Sequence, residues 1–491
     1  MRVWQHDWLT RWALYSPQKL ALKEHETGDD ITYGQLNAYS NNIVANLHQY
    51  YHVRPLDRVV VLAEFCIPLV ALFSAAQKMG FALVPINYRL SKPEILEILH
   101  DANPVLILVE KKFQHLVDAE YTHKTKDFAM LNSFFFFFLT LDFQVKEDDL
   151  IFIIYTSGTT GKPKGVKYTH KMAFWNSINT SISLKLTSES KTINVMPPFH
   201  TGGWNVLLLP FLHHGAYTYL CKKFEPNVVL EQLEQQKCNI FMGVPTMLAM
   251  MSRDPKFGAI DLTSLDYMIV GGESMPIPLI ETYAEKGVAI RQGYGMTEVG
   301  PNLTSLHQDD AIRKKGSIGR PNFYVNYRII NEDGEDCKAN EPGELWLAGP
   351  MVTPGYWNNP TATKDAYGDD GQWFKTGDIV LEDDDKYIYI IDRLKNMYIS
   401  GGENVYPAEI ERVLRRMDGI HECAVIGVHD DKWGEVGKGF IVTHHSMTEE
   451  EIKGYCTMNL AKFKVPKYLV FVAELPKTDS GKIDRKALKL L

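Results

Sequence analysis

The run Thr156-Ser157-Gly158-Thr159-Thr160-Gly161-Lys162-Pro163-Lys164-Gly165 follows an apolar segment at residues 151–155. Its glycines let the backbone approach a ligand and present N–H groups. Its hydroxyl residues add donors, and Lys162 and Lys164 add positive charge. A polyphosphate needs this combination of many donors and local cations. The loop has neither GxxxxGK[ST] nor GxGxxG spacing, so it is not a Walker A or dinucleotide loop. No HExxH or GxSxG occurs elsewhere, which sets aside zincin and α/β-hydrolase chemistry.

Four further clusters follow the loop in chain order: Tyr294-Gly295-Met296-Thr297-Glu298, Phe374-Lys375-Thr376-Gly377-Asp378, Asp392-Arg393-Leu394-Lys395 and Pro476-Lys477-Thr478-Asp479-Ser480-Gly481-Lys482. With TSGTTGKPKG, these resemble the ordered signature of the adenylate-forming superfamily, in its acyl-CoA synthetase branch. The resemblance covers nearly the whole chain. It implies a two-step reaction in which a carboxylate attacks the α-phosphate of ATP and a thiol then captures the acyl-adenylate, with pyrophosphate and AMP released. A fatty acid and coenzyme A are the expected substrates. A carrier protein remains open as the acceptor, and an aryl or o-succinylbenzoate acid remains open as the donor.

The resemblance also implies roles for individual residues. Thr156, Ser157, Gly158, Thr159, Thr160, Gly161, Lys162 and Lys164 would hold the β- and γ-phosphates. Glu298 would hold Mg²⁺, a hard cation that prefers oxygen, and Thr297 would meet the α-phosphate. Gly271, Gly272 and Glu273, with Gly293, Tyr294 and Gly295, would form the walls around adenine. Asp378 and Arg393 would contact the ribose. Lys482 would sit between the carboxylate and the α-phosphate during adenylation, as a mobile point charge on a flexible stem. Lys395 would be the hinge about which a small domain turns between half-reactions, bringing Gly401 and Gly402 beside the pantetheine arm. Ile399 stands where some relatives carry a lysine, so a role for that lysine in thioester formation is absent.

The segment Pro197-Pro198-Phe199-His200-Thr201-Gly202-Gly203-Trp204 resembles the lining of the acyl site. His200, Thr201, Gly203, Trp204 and Val299 are expected to shape an apolar slot, with Met247 nearby. His200 is assigned a pocket contact and not the role of general base.

Placing these groups requires an α/β scaffold. Residues 30–110 alternate helical and strand-like patterns: helices at 36–47, 68–79 and 95–99, and strands at 59–62, 82–86 and 105–109. Residues 111–149 read as an irregular connector. A second α/β stretch spans 190–295, with strands expected at 192–196, 217–220, 239–243 and 267–270. Short β-rich pieces between polar turns suggest an antiparallel subdomain over 315–391, with 382–386 as a solvated hairpin turn. The last 100 or so residues read as a small α+β domain with strands at 423–428 and 439–443. The expected division is 1–392, a large ATP- and acyl-binding domain, and 393–491, a small mobile domain.

Composition agrees with this plan. The 491 residues hold 52 Lys+Arg and 60 Asp+Glu, a net charge of −8, which argues against a dedicated nucleic-acid binder. From residue 462 onward, however, there are 8 basic and 3 acidic residues, a local +5. The six cysteines are scattered with no CxxC pair, and the first residues lack the apolar core of a signal peptide, so a reducing cytoplasm is expected. The apolar stretch 59–86 is interrupted by Glu64, Pro68, Gln77 and Lys78 and is too broken to span a membrane. The phenylalanine run at 134–138 reads as a buried strand or packed loop. A homodimer is left open.

Overall fold

The computed structural model describes residues 6–133, 143–157, 163–272, 275–368, 370–400, 403–478 and 482–491. The phenylalanine run at 134–138 lies outside them. The chain forms two compact units. One comprises Met1–Tyr327 and Leu347–Phe374, the other Arg328–Trp346 and Lys375–Leu491.

In the first unit, a six-stranded sheet runs in the order Thr125–Asp127, Leu106–Val109, Arg58–Leu62, Ala82–Pro85, Leu150–Ser157, Pro163–Thr169. All neighbours are parallel except the last pair. Parallel strands are covered on both faces and so read as unbroken apolar runs; Val59, Val60, Val61 and Leu62 are all buried accordingly. The crossover helix Ile67–Met79 opens with Pro68 in its first turn and stops at Gly80, whose φ of 80° is left-handed. Its Leu72 and Phe73 have no exposed surface, and truncating such a residue costs about 2–5 kcal/mol.

A five-stranded sheet follows in the order Ile240–Gly243, Tyr267–Val270, Ile290–Tyr294, Thr304–Ser305, Arg320–Pro321, with the first three parallel. The strands Lys191–Asn194 and Tyr217–Leu220 do not join it. They form a separate four-stranded sheet with the N-terminal strands Leu20–Glu24 and Asp30–Thr32. The expected irregular connector is also corrected in part. Residues 111–133 fold into three 3₁₀ turns, and Thr125–Asp127 adds a parallel strand beside Leu106–Val109.

The second unit is built on two sheets. One orders Asn326–Ile330, Gly343–Ala348, Phe374–Glu382 and Ile388–Arg393, with the last pair antiparallel across the acidic turn at 383–386. The other orders Glu403–Val405, Tyr398–Ser400, Gly434–Thr443 and Ile420–Asp430, and Tyr468–Phe471 runs parallel to Gly434–Thr443. Helices Pro407–Leu414 and Glu449–Asn459 cover it, burying Ile410, Leu414, Ile452 and Cys456 against Val425 and Ile441.

Candidate active site

In the first unit, the loop expected to bind phosphate is the tip of an antiparallel hairpin. Leu150–Ser157 and Pro163–Thr169 stay paired up to the loop, with Tyr155 opposite Gly165, Thr156 opposite Lys164 and Ser157 opposite Pro163. The tip residues Gly158, Thr159, Thr160, Gly161 and Lys162 lie outside the described residues. Residues 353–357 lie along the far edge of this hairpin. Trp357 N–H donates to the Gly165 carbonyl at 2.7 Å, Lys167 N–H to the Gly355 carbonyl at 3.0 Å, and the Thr353 hydroxyl to the Lys167 carbonyl at 2.6 Å.

That edge segment brings Tyr356 to the site, a residue the sequence reading did not single out. Its hydroxyl donates to Glu298 Oε1 at 3.0 Å. Lys164 Nζ stands 5.2 Å from the centre of its ring, within range of a cation–π contact. The Glu298 carbonyl in turn accepts from Thr353 N–H at 2.7 Å. The result is a line of lysine, ring, hydroxyl and carboxylate at the base of the hairpin. Burial, and then the Glu298 carboxylate, push the Tyr356 hydroxyl well above the usual tyrosine range, so it stays a donor.

Thr297 and Glu298, each 7% exposed, occupy the short turn Thr297–Val299. Gly295 makes the turn sterically feasible: a Cβ there would fall 1.4 Å from the Pro301 carbonyl oxygen. Gly271 and Gly272 follow strand Tyr267–Val270, and Gly293 and Tyr294 end the neighbouring strand Ile290–Tyr294. Val270 and Gln292 are register partners, so these glycines share the carboxyl end of two parallel strands, where open α/β sheets bind ligands. Glu273 lies outside the described residues. The Tyr294 ring is buried. Gln292 braces the region, accepting from Met275 N–H at 2.8 Å and donating to the Ser317 carbonyl at 2.9 Å.

The expected acyl segment is also in this unit. Phe199 is buried, and His200 is half-buried with its ring 4.7 Å from that of Phe199. Thr201 accepts from Asn205 at 3.0 Å. Gly202–Val206 forms a π-helical turn, a local widening often found at functional sites. A Cβ on Gly203 would lie 2.4 Å from the Pro197 carbonyl oxygen and 2.8 Å from Phe65, so the turn closes only on glycine. Trp204 is fully buried. Its indole N–H donates to the Pro198 carbonyl at 2.6 Å, and its ring packs against Phe65 and Phe152 with centroids 4.7 and 5.3 Å away. It braces the segment from inside the core. Val299 is fully buried as well. Gly202, Asn194 and Met196 border a cavity of about 10 Å³, room for a single water.

In the second unit, Asp378 is 2% exposed and sits directly across the ladder from Arg393. The two expected ribose contacts are paired with each other, Arg393 Nε to Asp378 Oδ1 at 2.5 Å. Gly377 N–H donates to Glu344 and Asp378 N–H to the Thr376 hydroxyl, fixing the turn. Lys395 is exposed in the turn Leu394–Asn396; partial desolvation and the cations Arg393, Lys486 and Lys482 around it lower its pKa, against the pull of Asp378. The buried Asp392 carboxylate accepts from Asn396 at 3.0 Å and from Ala408 N–H, in the first turn of Pro407–Leu414, at 2.7 Å. Strands Tyr398–Ser400 and Glu403–Val405 pair Ser400 with Glu403 across Gly401 and Gly402, which lie outside the described residues. The Lys482 carbonyl accepts from Thr478 N–H at 2.7 Å.

Comparison with known proteins fits this arrangement. The family model described as AMP-binding enzyme matches residues 9–357, and the one described as AMP-binding enzyme C-terminal domain matches 409–482. A feruloyl-CoA synthase from Amycolatopsis sp. is 35% identical over 97% of this chain and 96% of the relative. The long-chain-fatty-acid–CoA ligase FadD13 of Mycobacterium tuberculosis is 34% identical over 98% and 97%. Among solved structures, the o-succinylbenzoate CoA synthetase MenE of Bacillus subtilis in complex with its acyl-adenylate intermediate superposes with a TM-score of 0.90. It shares 31% identity over 99% of this chain and 98% of that one. The same enzyme in complex with ATP and magnesium ion gives 0.89 at 30% identity, covering 98% and 99%.

Proposed function

The chain belongs to the AMP-binding enzyme family and is an AMP-forming acyl-CoA ligase, and from that premise we propose that it joins an apolar carboxylic acid, a fatty acid, to coenzyme A through an acyl-adenylate. ATP, Mg²⁺ and coenzyme A are the co-substrates and cofactor of that reaction, in keeping with the ATP, magnesium and adenylate named for the MenE structures. The observation that carries the reading is the buried Glu298, held by Tyr356 beside Lys164 at the base of the hairpin. A carboxylate, a hydroxyl donor and a cation gathered there suit a magnesium–polyphosphate.

Glu298 fits a hard divalent cation because it offers carboxylate oxygen with a neighbour fixing its rotamer. Among the described residues no group of three or more His, Cys, Asp or Glu converges on one point. Most ligands would then come from phosphate oxygens and water, as Mg²⁺ prefers. When bound, the ion neutralises charge on the polyphosphate. The roles we assign to this chain's residues follow from charge. Thr156, Lys162, Lys164 and the loop amides bind the β- and γ-phosphates, and Thr297 donates to the α-phosphate. The glycine ends at 271–272 and 293–295 admit adenine against Tyr294. Asp378, oriented by Arg393, accepts from the ribose. Lys482 neutralises carboxylate and α-phosphate together as they approach. Residues 393–491 turn about Lys395 between the half-reactions.

An aryl acid is the second reading, favoured by the likeness to the feruloyl-CoA synthase at 35% identity. The test is pyrophosphate release, AMP and acyl-CoA formation over a graded panel of fatty acids, ferulate and o-succinylbenzoate. Turnover best on fatty acids supports the proposal; turnover confined to aryl acids replaces it with the second reading. Acylation of a carrier protein with coenzyme A inert would overturn the acceptor.

A further inference from the structure

Glu411 is 3% exposed, on the inner face of helix Pro407–Leu414. Its Oε1 accepts from Val425 N–H at 2.8 Å and from Arg485 Nη2 at 2.7 Å, and its Oε2 is 3.5 Å from Arg415. Arg485 Nη1 donates to the Val425 carbonyl at 2.5 Å. Val425 lies on Ile420–Asp430, the edge strand of its sheet. The carboxylate and guanidinium therefore satisfy both polar groups of one edge residue and close a ring of three partners. Burial pushes the Glu411 carboxyl up, and Arg485 and Arg415 oppose that shift.

Arg485 is three residues beyond Lys482, a reach of at most about 10 Å along the chain. The intervening chain is pinned. Ile483 bridges to Lys477 and packs against the cluster of Ile426, Phe440, Leu475 and Leu488. Asp484 N–H donates to the Pro476 carbonyl at 2.8 Å, and its carboxylate caps the next turn through Lys486 and Ala487 N–H. Lys477 pairs with Glu422 at 2.7 Å. Glu411, buried, and Arg485, partly buried, thus form an ion pair that joins the Lys482 segment to the domain's core helix and sheet.

We propose that Glu411 and Arg485 are positioning residues for adenylation: their clasp on Val425 sets where the backbone of Lys482 stands, and so where its ammonium can reach. This rests on the assignment of Lys482 to the first half-reaction. Displacing a catalytic group by about 1 Å costs on the order of 100-fold in rate. A clasp that acts only through Lys482 leaves thioester formation alone, since that step does not use the lysine. A clasp that merely holds the domain together damages both steps.

The experiment uses the full chain and the acid that turns over best among dodecanoate, ferulate and o-succinylbenzoate. Acid-dependent ATP–pyrophosphate exchange reads adenylation, and coenzyme A-dependent consumption of the supplied acyl-adenylate reads the second step. The expected result for E411Q and R485Q is a fall of about 100-fold in exchange, with thioester formation within about threefold of wild type. R485K, which retains a charge, is expected to recover most of the exchange. Exchange within about threefold of wild type in both glutamine variants, while K482A is inactive in exchange, overturns the clasp's role; so does an equal loss in both half-reactions. Full exchange in K482A removes the premise about Lys482, and this inference with it.

Discussion

Replacing Tyr356 with phenylalanine removes one oxygen and leaves the ring beneath Lys164 in place. The lost bond is the 3.0 Å donation to Glu298 Oε1, between residues that are 8% and 7% exposed. A hydrogen bond to a charged acceptor contributes about 1.5–3 kcal/mol, equivalent to roughly 10- to 100-fold in an equilibrium constant. If Tyr356 orients Glu298 toward the cation, that factor shows as weaker magnesium use, the usual effect of losing a residue that braces a ligand. The assay is ATP–pyrophosphate exchange at saturating ATP across a magnesium series, with thermal stabilisation by magnesium–ATP as a readout independent of turnover. The expected result is a rise of about 10-fold or more in half-saturating magnesium, with exchange recovering at high magnesium. E298Q is expected to lose exchange without such recovery. An unchanged half-saturation in the phenylalanine variant, with exchange within about twofold of wild type, would show that Tyr356 does not orient Glu298 toward the cation.

Gly295→Ala places a methyl 1.4 Å from the Pro301 carbonyl oxygen, an overlap that only backbone movement relieves. Overpacking of this kind costs about 1–3 kcal/mol, read as a lower urea midpoint together with weakened ATP binding. Arg393→Met deprives the buried Asp378 of its 2.5 Å partner; because Arg393 is itself 41% exposed, the loss is discounted to about 1 kcal/mol, seen as a severalfold higher KM for ATP. His170, buried and with His6 beside it, has its pKa lowered to about 3. Its folded value lies below its unfolded one, so the unfolded chain takes up the proton first as pH falls. Stability is complete above about pH 6.5 and declines from there toward pH 3. At pH 5 the decline from this one group is about 2 kcal/mol, and H170Q is expected to show a shallower fall in urea midpoint between pH 7 and pH 5.

Legibility in the sequence followed the range of the interactions involved. The α/β class, the helix at 68–79 and the apolar segment 151–155 leading into its loop were readable because apolar periodicity and turn residues are local signals; that the loop returns as the antiparallel strand Pro163–Thr169 was not. The turns at 111–133 carry no such period, so the strand Thr125–Asp127 was read as connector. The strand at 217–220 was visible, yet its sheet was not, because its partner Leu20–Glu24 lies far off along the chain. Tyr356 was missed for the same reason. It is 58 residues from Glu298 and reaches it only because 353–357 folds along the hairpin edge. Trp204 was expected near the acyl site from the resemblance of 197–204; that its N–H reaches Pro198 and its ring packs on Phe65 inside the core was not legible, because Phe65 lies far off along the chain. The likeness to the adenylate-forming enzymes pointed to Asp378 and Arg393, but their pairing with each other required the register of two strands.

Acid-dependent exchange of pyrophosphate into ATP, followed by coenzyme A-dependent release of AMP, measured over fatty acids of increasing length alongside ferulate and o-succinylbenzoate, tests the assigned reaction most directly. The expected result is magnesium-dependent exchange with at least one fatty acid, and AMP and acyl-CoA formed in equal amounts once coenzyme A is added. Exchange with none of the acids, or acyl-CoA formed with ADP in place of AMP, would contradict it.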